Sequence, residues 1–223
     1  MNPRKRGFVK MERCMFNYIF DMDGTLLDSM PYWRKLAREY LISKGITIPE
    51  DFDEITYTMD LNESSKYFIE EFKIDMNPED MKKEVIDLIN HHYETDIPPK
   101  AGVVEFLRRK KEEGCRMCIF TTSDRKCIES SMKRLGVWDC FENIFTVYDI
   151  GINKKHKESY IKICELMNFK PEETWVYEDV IHGVESAKAA GCKVAAVYDE
   201  DSAHLWNEIS QKADKIIKNR LMD

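Results

Sequence analysis

Five short apolar runs, residues 15–20, 115–120, 144–147, 174–177 and 192–197, punctuate this chain, and they constrain its fold more than any other feature. Each is four to six residues long and rich in Val, Ile, Phe, Tyr or Cys without polar alternation, the pattern of a strand buried on both faces. Between the later runs, residues 125–135, 158–167 and 181–190 carry apolar side chains three or four apart, with Gly136 and Gly191 as stop signals. Strand and helix in alternation imply an α/β domain, a parallel sheet with helices on both faces.

Residues 32–97 break that rhythm. They hold no convincing strand and are rich in Glu, Lys, Asp, Leu and Ile at helical spacing, so an all-helical insertion is expected there. Asn77 followed by Pro78 reads as a capped helix start. Pro98, Pro99 and Gly102 mark the return, with a further helix over 103–113 ending near Gly114. The expected division is a basic leader at 1–13 acting as a flexible arm, a sheet domain from 14–30 and 98–223, and a helical cap domain over 31–97.

With 43% hydrophobic and 11% aromatic residues, the 223-residue chain has enough apolar side chains for a packed core, which excludes disorder and fibrous repeats. Its 34 Lys and Arg against 41 Asp and Glu leave a net charge of −7, the wrong sign for gripping a phosphate backbone, so no nucleic-acid partner is expected. A small phosphorylated ligand remains compatible with locally focused positive charge. No apolar run approaches the roughly 20 residues that cross a bilayer, and the basic leader is not followed by a signal-like apolar stretch. A cytoplasmic protein without a membrane partner is expected, with a monomer as the default state. Seven cysteines, an odd number scattered along the chain, do not read as a disulfide framework and are expected to be reduced thiols. Cys115 and Cys118 form a C-x-x-C, but no second such pair follows, and buried small side chains on a strand account for them.

The candidate chemistry clusters where strands end. The first run closes in Asp21-Met22-Asp23-Gly24-Thr25. In an open parallel sheet ligands bind at the carboxyl ends of the strands. Two carboxylates one residue apart repel unless a cation or a shared proton compensates, and Gly24 permits a tight turn directly after them. A solvated acidic turn is the plain alternative, while the further ligands and closing Glu of an EF-hand calcium loop are missing. Glu178 and Asp179 stand at the end of the fourth run, so the fold would gather four carboxylates around one crevice. Oxygen-only ligands suit magnesium. Thr121, Thr122, Ser123 and Asp124 end the second run ahead of a helix, which describes both a helix cap and a phosphate cradle. The run Asn153-Lys154-Lys155-His156-Lys157 offers positive charge, although such runs are usually solvated.

Together these pieces resemble the four sequence motifs of the haloacid dehalogenase superfamily, in its phosphatase and sugar-phosphomutase branch. F-D-M-D-G-T-L-L-D-S is similar to the family's first motif and V-Y-E-D-V-I-H-G-V-E-S-A-K-A-A-G to its fourth, and the resemblance covers about residues 14 to 217. It implies a Rossmann-like core with a helical cap inserted after the first motif. It implies Asp21 as nucleophile and Asp23 as general acid and base, with Thr121 binding the phosphoryl group. Magnesium would be held by the Asp21 carboxylate, the Asp23 backbone carbonyl and Asp179, with Glu178 a further ligand acting directly or from one layer out. Lys154 aligns with the third-motif lysine, since the pattern G-K-P-x-P-D-x-Y overlays Asn153 to Tyr160 without a gap, despite Asn153 for Gly, Lys155 and Lys157 for both prolines, and Glu158 for Asp.

Asp23 points away from the dehalogenase and phosphonate-cleaving branches, which generally lack an acid there. The β-phosphoglucomutase-like branch carries a cap His where this chain has Trp33, and an Arg where residues 57–65 contain none. A mutase must shield its phosphoenzyme from water and hold a second phosphate, so hydrolysis of a small organic phosphomonoester is the expected activity. A sugar phosphomutase and a catalytically silent phosphate-binding protein are the competing readings. Thr122, Ser123, Trp33 and Tyr32 are the candidate substrate contacts; packing of the first inserted helix explains Tyr32 and Trp33 equally well. His91 and His92 near the return could reach substrate, but exposed helix histidines are the commoner case.

Overall fold

The computed structural model describes residues 14–50, 52–56 and 59–221. The expectations for the basic leader fall on residues 1–13 and so lie outside the described residues. Six parallel strands, β1 (Asn17–Phe20), β2 (Met117–Thr121), β3 (Asn143–Thr146), β4 (Thr174–Glu178), β5 (Lys193–Val197) and β6 (Lys215–Ile217), form one sheet in the order β3-β2-β1-β4-β5-β6. The helices are α1 (Met30–Ser43), α2 (Phe52–Thr56), α3 (Leu61–Phe72), α4 (Pro78–Thr95), α5 (Val103–Glu112), α6 (Arg125–Arg134), α7 (Val147–Ile150), α8 (Lys157–Met167), α9 (Ile181–Ala189) and α10 (Trp206–Lys212). Five strands fall where the apolar runs predict them, within two residues at either end.

Strand periodicity divides the core in two. Tyr18 and Phe20 point to one face, where they meet Phe106 and Leu107 of α5 and Ile128 and Met132 of α6. Ile19 points to the other, packed with Val176 of β4, Ile163 of α8, Val184 of α9 and Ile209 of α10. The opposite facing of successive side chains produces this split, and helices on both faces explain why the runs are predominantly apolar.

Between β1 and β2 the described residues hold helices only. Asp60 and Glu63 form a capping box that starts α3, and the Asn77 side chain accepts from the Asp80 N–H at 2.9 Å to start α4. The buried Phe52, Phe68, Met81, Val85 and Ile89 give these helices an apolar centre. The chain leaves and re-enters the sheet side by side: Asp28 N–H donates to the Pro98 carbonyl at 3.0 Å, and Leu27 bridges Pro99. This pairing anchors both ends of the insertion beside the carboxyl end of β1.

Two findings depart from the sequence reading. β6 went unseen because its three residues are too few to show a period. The expectation of reduced thiols fails at one pair, for Cys14 and Cys115 form a disulfide. Both stand just ahead of the neighbouring parallel strands β1 and β2, Cys14 three residues before β1 and Cys115 two before β2, and their Cα atoms lie 5.0 Å apart. The described cysteines 118, 127, 140, 164 and 192 are free and buried. No helix is long and apolar enough to cross a membrane among the described residues.

Candidate active site

β1 has β2 on one side and β4 on the other, so the chain's direction of winding reverses there and opens a crevice beyond the carboxyl ends of these strands. Asp21 is the first residue past β1, its N–H bonded to the Tyr177 carbonyl of β4 at 3.0 Å. Glu178 ends β4 and Asp179 follows it. One carboxylate oxygen from each of Asp21, Glu178 and Asp179 lies within 4.8 Å of the others, and all three side chains are buried. An all-oxygen set of this size fits a hard divalent cation such as magnesium.

Two glycines make the cluster sterically feasible. Gly24 has φ +84°, and a Cβ there would stand 2.4 Å from Asp179 Oδ2. A Cβ on Gly183 would stand 2.5 Å from Glu178 Oε2. Thr25 holds Asp179 in place by donating to Oδ1 at 2.9 Å.

Within the basic run after α7, Lys154 alone is buried; Lys155 and Lys157 are exposed. Its Nζ lies 2.5 Å from Asp21 Oδ1 and 2.7 Å from Glu178 Oε2. Glu178 has all its capacity engaged: Oε2 also accepts from the Tyr160 hydroxyl at 3.2 Å, and Oε1 accepts from the Asp179 and Val180 N–H groups at 3.2 and 3.3 Å. Burial is the main cause that pushes the Asp21 carboxyl up to about 7, against the pull of Lys154 and with the repulsion of Glu178 and Asp23 added. Asp179 is pushed well above the usual carboxylate range by burial and then by Asp21 and Glu178. For Lys154, burial works against the charge, but Asp21 and Glu178 outweigh it and raise its pKa above the ordinary lysine value. Carboxylates this destabilised are poised to accept a cation.

Asp23 is half-buried on the same turn. Its Oδ1 accepts from Ser29 at 2.7 Å and from the Tyr93 hydroxyl, and its Oδ2 accepts from Ser123. Trp33 Nε1 donates to the Tyr93 oxygen at 3.0 Å. Burial, then the charge of Asp23, pushes the Tyr93 phenol above its ordinary range. Thr121 ends β2 fully inside, its hydroxyl accepting from the Ser123 N–H at 3.1 Å. Asp124, at the cap position of α6, makes no side-chain capping bond, so the capping explanation for this segment does not hold.

A crevice of about 250 Å³ runs between the inserted helices and this floor, lined among others by Trp33, Ile86, Ile89, Thr122, Ser123 and Tyr148. The crevice comes up to Ser123, the partner of Asp23, and neither it nor a cavity of about 350 Å³ beside Asp28, Pro99 and Lys100 is lined by Asp21, Glu178 or Asp179. Of the expected substrate contacts, Thr122, Ser123 and Trp33 line the crevice, whereas Tyr32 packs its ring on His92 at 5.1 Å. His92 itself is buried between Asp96 and Glu39, with ring nitrogens 2.9 and 3.0 Å from their carboxylates, so it braces the insertion instead of standing exposed. His156 is exposed at the start of α8, and His182, half-buried, is held below its usual pKa by burial.

Sequence reasoning missed Tyr93, Thr25, Ser29 and Tyr160. Thr25 and Ser29 lie inside the first motif and were within reach. Tyr93 stands 70 residues from Asp23 in an unremarkable helical stretch, with no local signal to single it out.

Comparison with known proteins agrees with this architecture. A phosphorylated carbohydrates phosphatase of Thermotoga maritima is 27% identical over 173 residues, covering 78% of this chain and 80% of that protein. The fructose-1-phosphate phosphatase YqaB of Escherichia coli is 27% identical over 179 residues, covering 78% and 91%. A solved Thermotoga maritima structure, provisionally assigned as a β-phosphoglucomutase, superposes with a TM-score of 0.80 at 25% identity, covering 91% of this chain and 94% of that one. Residues 18–197 match the family model described as haloacid dehalogenase-like hydrolase, and the chain belongs to that family.

Proposed function

We propose that this protein is a magnesium-dependent phosphatase that hydrolyses a small organic phosphomonoester through an aspartyl phosphate. The observation that carries the reading is Asp21, a buried carboxylate at the end of β1 with Lys154 against one oxygen and Asp179 beside it. Bringing an anionic phosphate to within about 4 Å of a carboxylate costs about 4 kcal/mol per unit-charge pair at an effective dielectric near 20. Attack therefore needs cations on both reactants. Lys154 supplies one, and Asp21, Asp179 and the Asp23 backbone carbonyl would hold the second. A bound magnesium would neutralise charge on the nucleophile and on the phosphoryl oxygens. Glu178, engaged with Lys154, Tyr160 and two backbone amides, is suited to holding the lysine and the metal site in register instead of giving up an oxygen.

In the first half-reaction an Asp21 oxygen forms a bond to phosphorus while the bond from phosphorus to the ester oxygen breaks. Asp23 gives its proton to that departing oxygen, which leaves as an alcohol. Asp23, now ionised, takes a proton from water as the water oxygen attacks phosphorus. The Asp21–phosphorus bond breaks and inorganic phosphate is released. Thr121 and the uncapped start of α6 face the transferring group with a hydroxyl and backbone amides.

The 31–97 insertion serves as the cap that covers substrate and excludes bulk water. On the insertion's side the crevice is lined by Trp33, Leu61, Ile86, Ile89 and Asn90, and among the described residues no Lys or Arg lines it, which favours an uncharged leaving alcohol such as a sugar over a second phosphate. We place the enzyme in the cytoplasm as a monomer acting on a small phosphorylated metabolite. The likeness to a provisional β-phosphoglucomutase supports a second reading as a sugar phosphomutase. Trp33 in place of a cap histidine weighs against it. A phosphate-release screen over sugar, nucleotide and glycolate phosphates, with magnesium and with chelator, tests the proposal. Phosphate released from a sugar monoester only when magnesium is present supports it. Isomerisation of β-glucose 1-phosphate outpacing phosphate release would establish the mutase, and activity indifferent to chelator would defeat the metal assignment.

A further inference from the structure

We propose that Tyr93 is the positioning residue for Asp23, and that through it the inserted helices govern proton transfer to the leaving oxygen. The inference rests on the phosphatase reading above and concerns how that site is aimed.

A carboxylate offers about four lone-pair sites. Asp23 has three of them filled, two on Oδ1 by Ser29 and Tyr93 and one on Oδ2 by Ser123. One site remains, on Oδ2, for the proton in transit. Ser29 and Ser123 stand on segments that run directly out of β1 and β2, whereas Tyr93 comes from the last turns of α4. Removing the Tyr93 hydroxyl would reopen Oδ1, so that the proton could ride on either oxygen and the carboxyl could turn.

The tyrosine is itself fixed at both ends. Trp33 on α1 donates to its hydroxyl oxygen at 3.0 Å, so a side chain from the outgoing helix of the insertion orients one from the returning helix at the atom that bonds Asp23. Its backbone carbonyl accepts from Arg134 Nε of α6 at 3.2 Å, and the same guanidinium reaches the Ile97 carbonyl just beyond α4. Cys127 of α6 adds a contact from Sγ to Asn90 Oδ1 of α4 at 3.0 Å. Tyr93 is fully buried, and its ring packs in the core shared with Phe106 and Ile128. The hydroxyl is therefore delivered to Asp23 by a helix clamped to the sheet domain, with little freedom to miss.

A residue that acts only by packing would slow all substrates alike or none. A residue that aims Asp23 must matter most where the leaving oxygen needs a proton. Rapid-quench measurement of phosphoenzyme formation in wild type and Tyr93→Phe, with fructose 1-phosphate and with p-nitrophenyl phosphate, separates the two. The nitrophenolate leaves without protonation. Loss of a hydrogen bond to a charged group predicts that the sugar ester slows about 10- to 100-fold in Tyr93→Phe, while the aryl ester slows less than about threefold and KM for both stays within about twofold. Trp33→Phe, which keeps the ring but loses the N–H that orients the tyrosine, gives the same selectivity at about two- to fivefold and carries the test if Tyr93→Phe loses its near-UV circular dichroism. Equal slowing of both esters, a change confined to KM, or no change in either variant overturns the proposal. A wild-type protein that forms no phosphoenzyme from either ester would instead defeat the phosphatase reading itself.

Discussion

Replacing Lys154 with Met would remove the one cation that, among the described residues, pairs with both Asp21 and Glu178, while keeping much of the side chain's bulk. Lys154 is 2% exposed, and its partners lie 2.5 and 2.7 Å away, so the variant leaves two carboxylates buried with no counter-charge beside them. Breaking a buried pair by removing one partner costs about 3–5 kcal/mol. Two partners do not double that figure, because Asp21, already pushed up to about 7, escapes by taking up a proton. A loss of about 3–5 kcal/mol corresponds, at 2–4 °C per kcal/mol for a domain of this size, to a fall in Tm of roughly 6–20 °C.

The pH dependence has a definite sign. A carboxyl whose folded pKa is raised contributes stability that is present below its ordinary value near 4 and is lost as pH climbs through the folded value. Lys154 is the chief influence lowering Asp21, so without it that folded value rises further. The deficit of Lys154→Met should therefore be wider at pH 8 than at pH 5. Urea unfolding in the presence of chelator, at both pH values, measures it. Adding Glu178→Gln should recover about 1–2 kcal/mol, since the two sites are directly coupled. A loss under about 1 kcal/mol, or one that is the same at both pH values, would refute the reasoning.

Asp23→Asn should lower kcat by about 10²- to 10⁴-fold in a protein that still folds, because it removes proton transfer, while an amide nitrogen that cannot accept costs it one of the three hydroxyl bonds; a steady-state assay beside a melting curve checks both halves. Gly24→Ala meets a left-handed φ of +84° and a Cβ 2.4 Å from Asp179 Oδ2. It should cost about 2–4 kcal/mol by urea denaturation, and a loss below about 1 kcal/mol would mean that Asp179 can move aside. The Cys14–Cys115 bond closes a 101-residue separation, so reduction or Cys14→Ser should cost about 2–4 kcal/mol. A peptide map without reductant shows the cross-link directly, and seven titratable thiols in the unfolded, unreduced protein would contradict it.

Asp21 and Asp23 were legible in the sequence because two acids one residue apart follow the first apolar run, and Glu178 with Asp179 because both close a single strand. Lys154 required more: three lysines occupy that run, and alignment with a family pattern chose the one that the fold buries against Asp21. The strands were readable because burial on both faces leaves runs rich in apolar residues. What stayed hidden depends on pairs distant in the chain. Tyr93 reaches Asp23 only because α4 returns beside β1, and Cys14 meets Cys115 only because β1 and β2 are neighbours in parallel. His92 looked like a surface residue on a charged helix until Glu39 of α1 closed over it. Composition and periodicity describe one element at a time, and contacts of this kind belong to two.

The most direct test of the account is to quench the enzyme in acid during turnover of a phosphomonoester with magnesium present, and to map the phosphorylated peptide by mass spectrometry. A phosphoryl group on Asp21 in the wild type, absent from Asp21→Asn, is the outcome the geometry requires. Phosphate released at the normal rate with no modification at Asp21, or with turnover retained in Asp21→Asn, would contradict it.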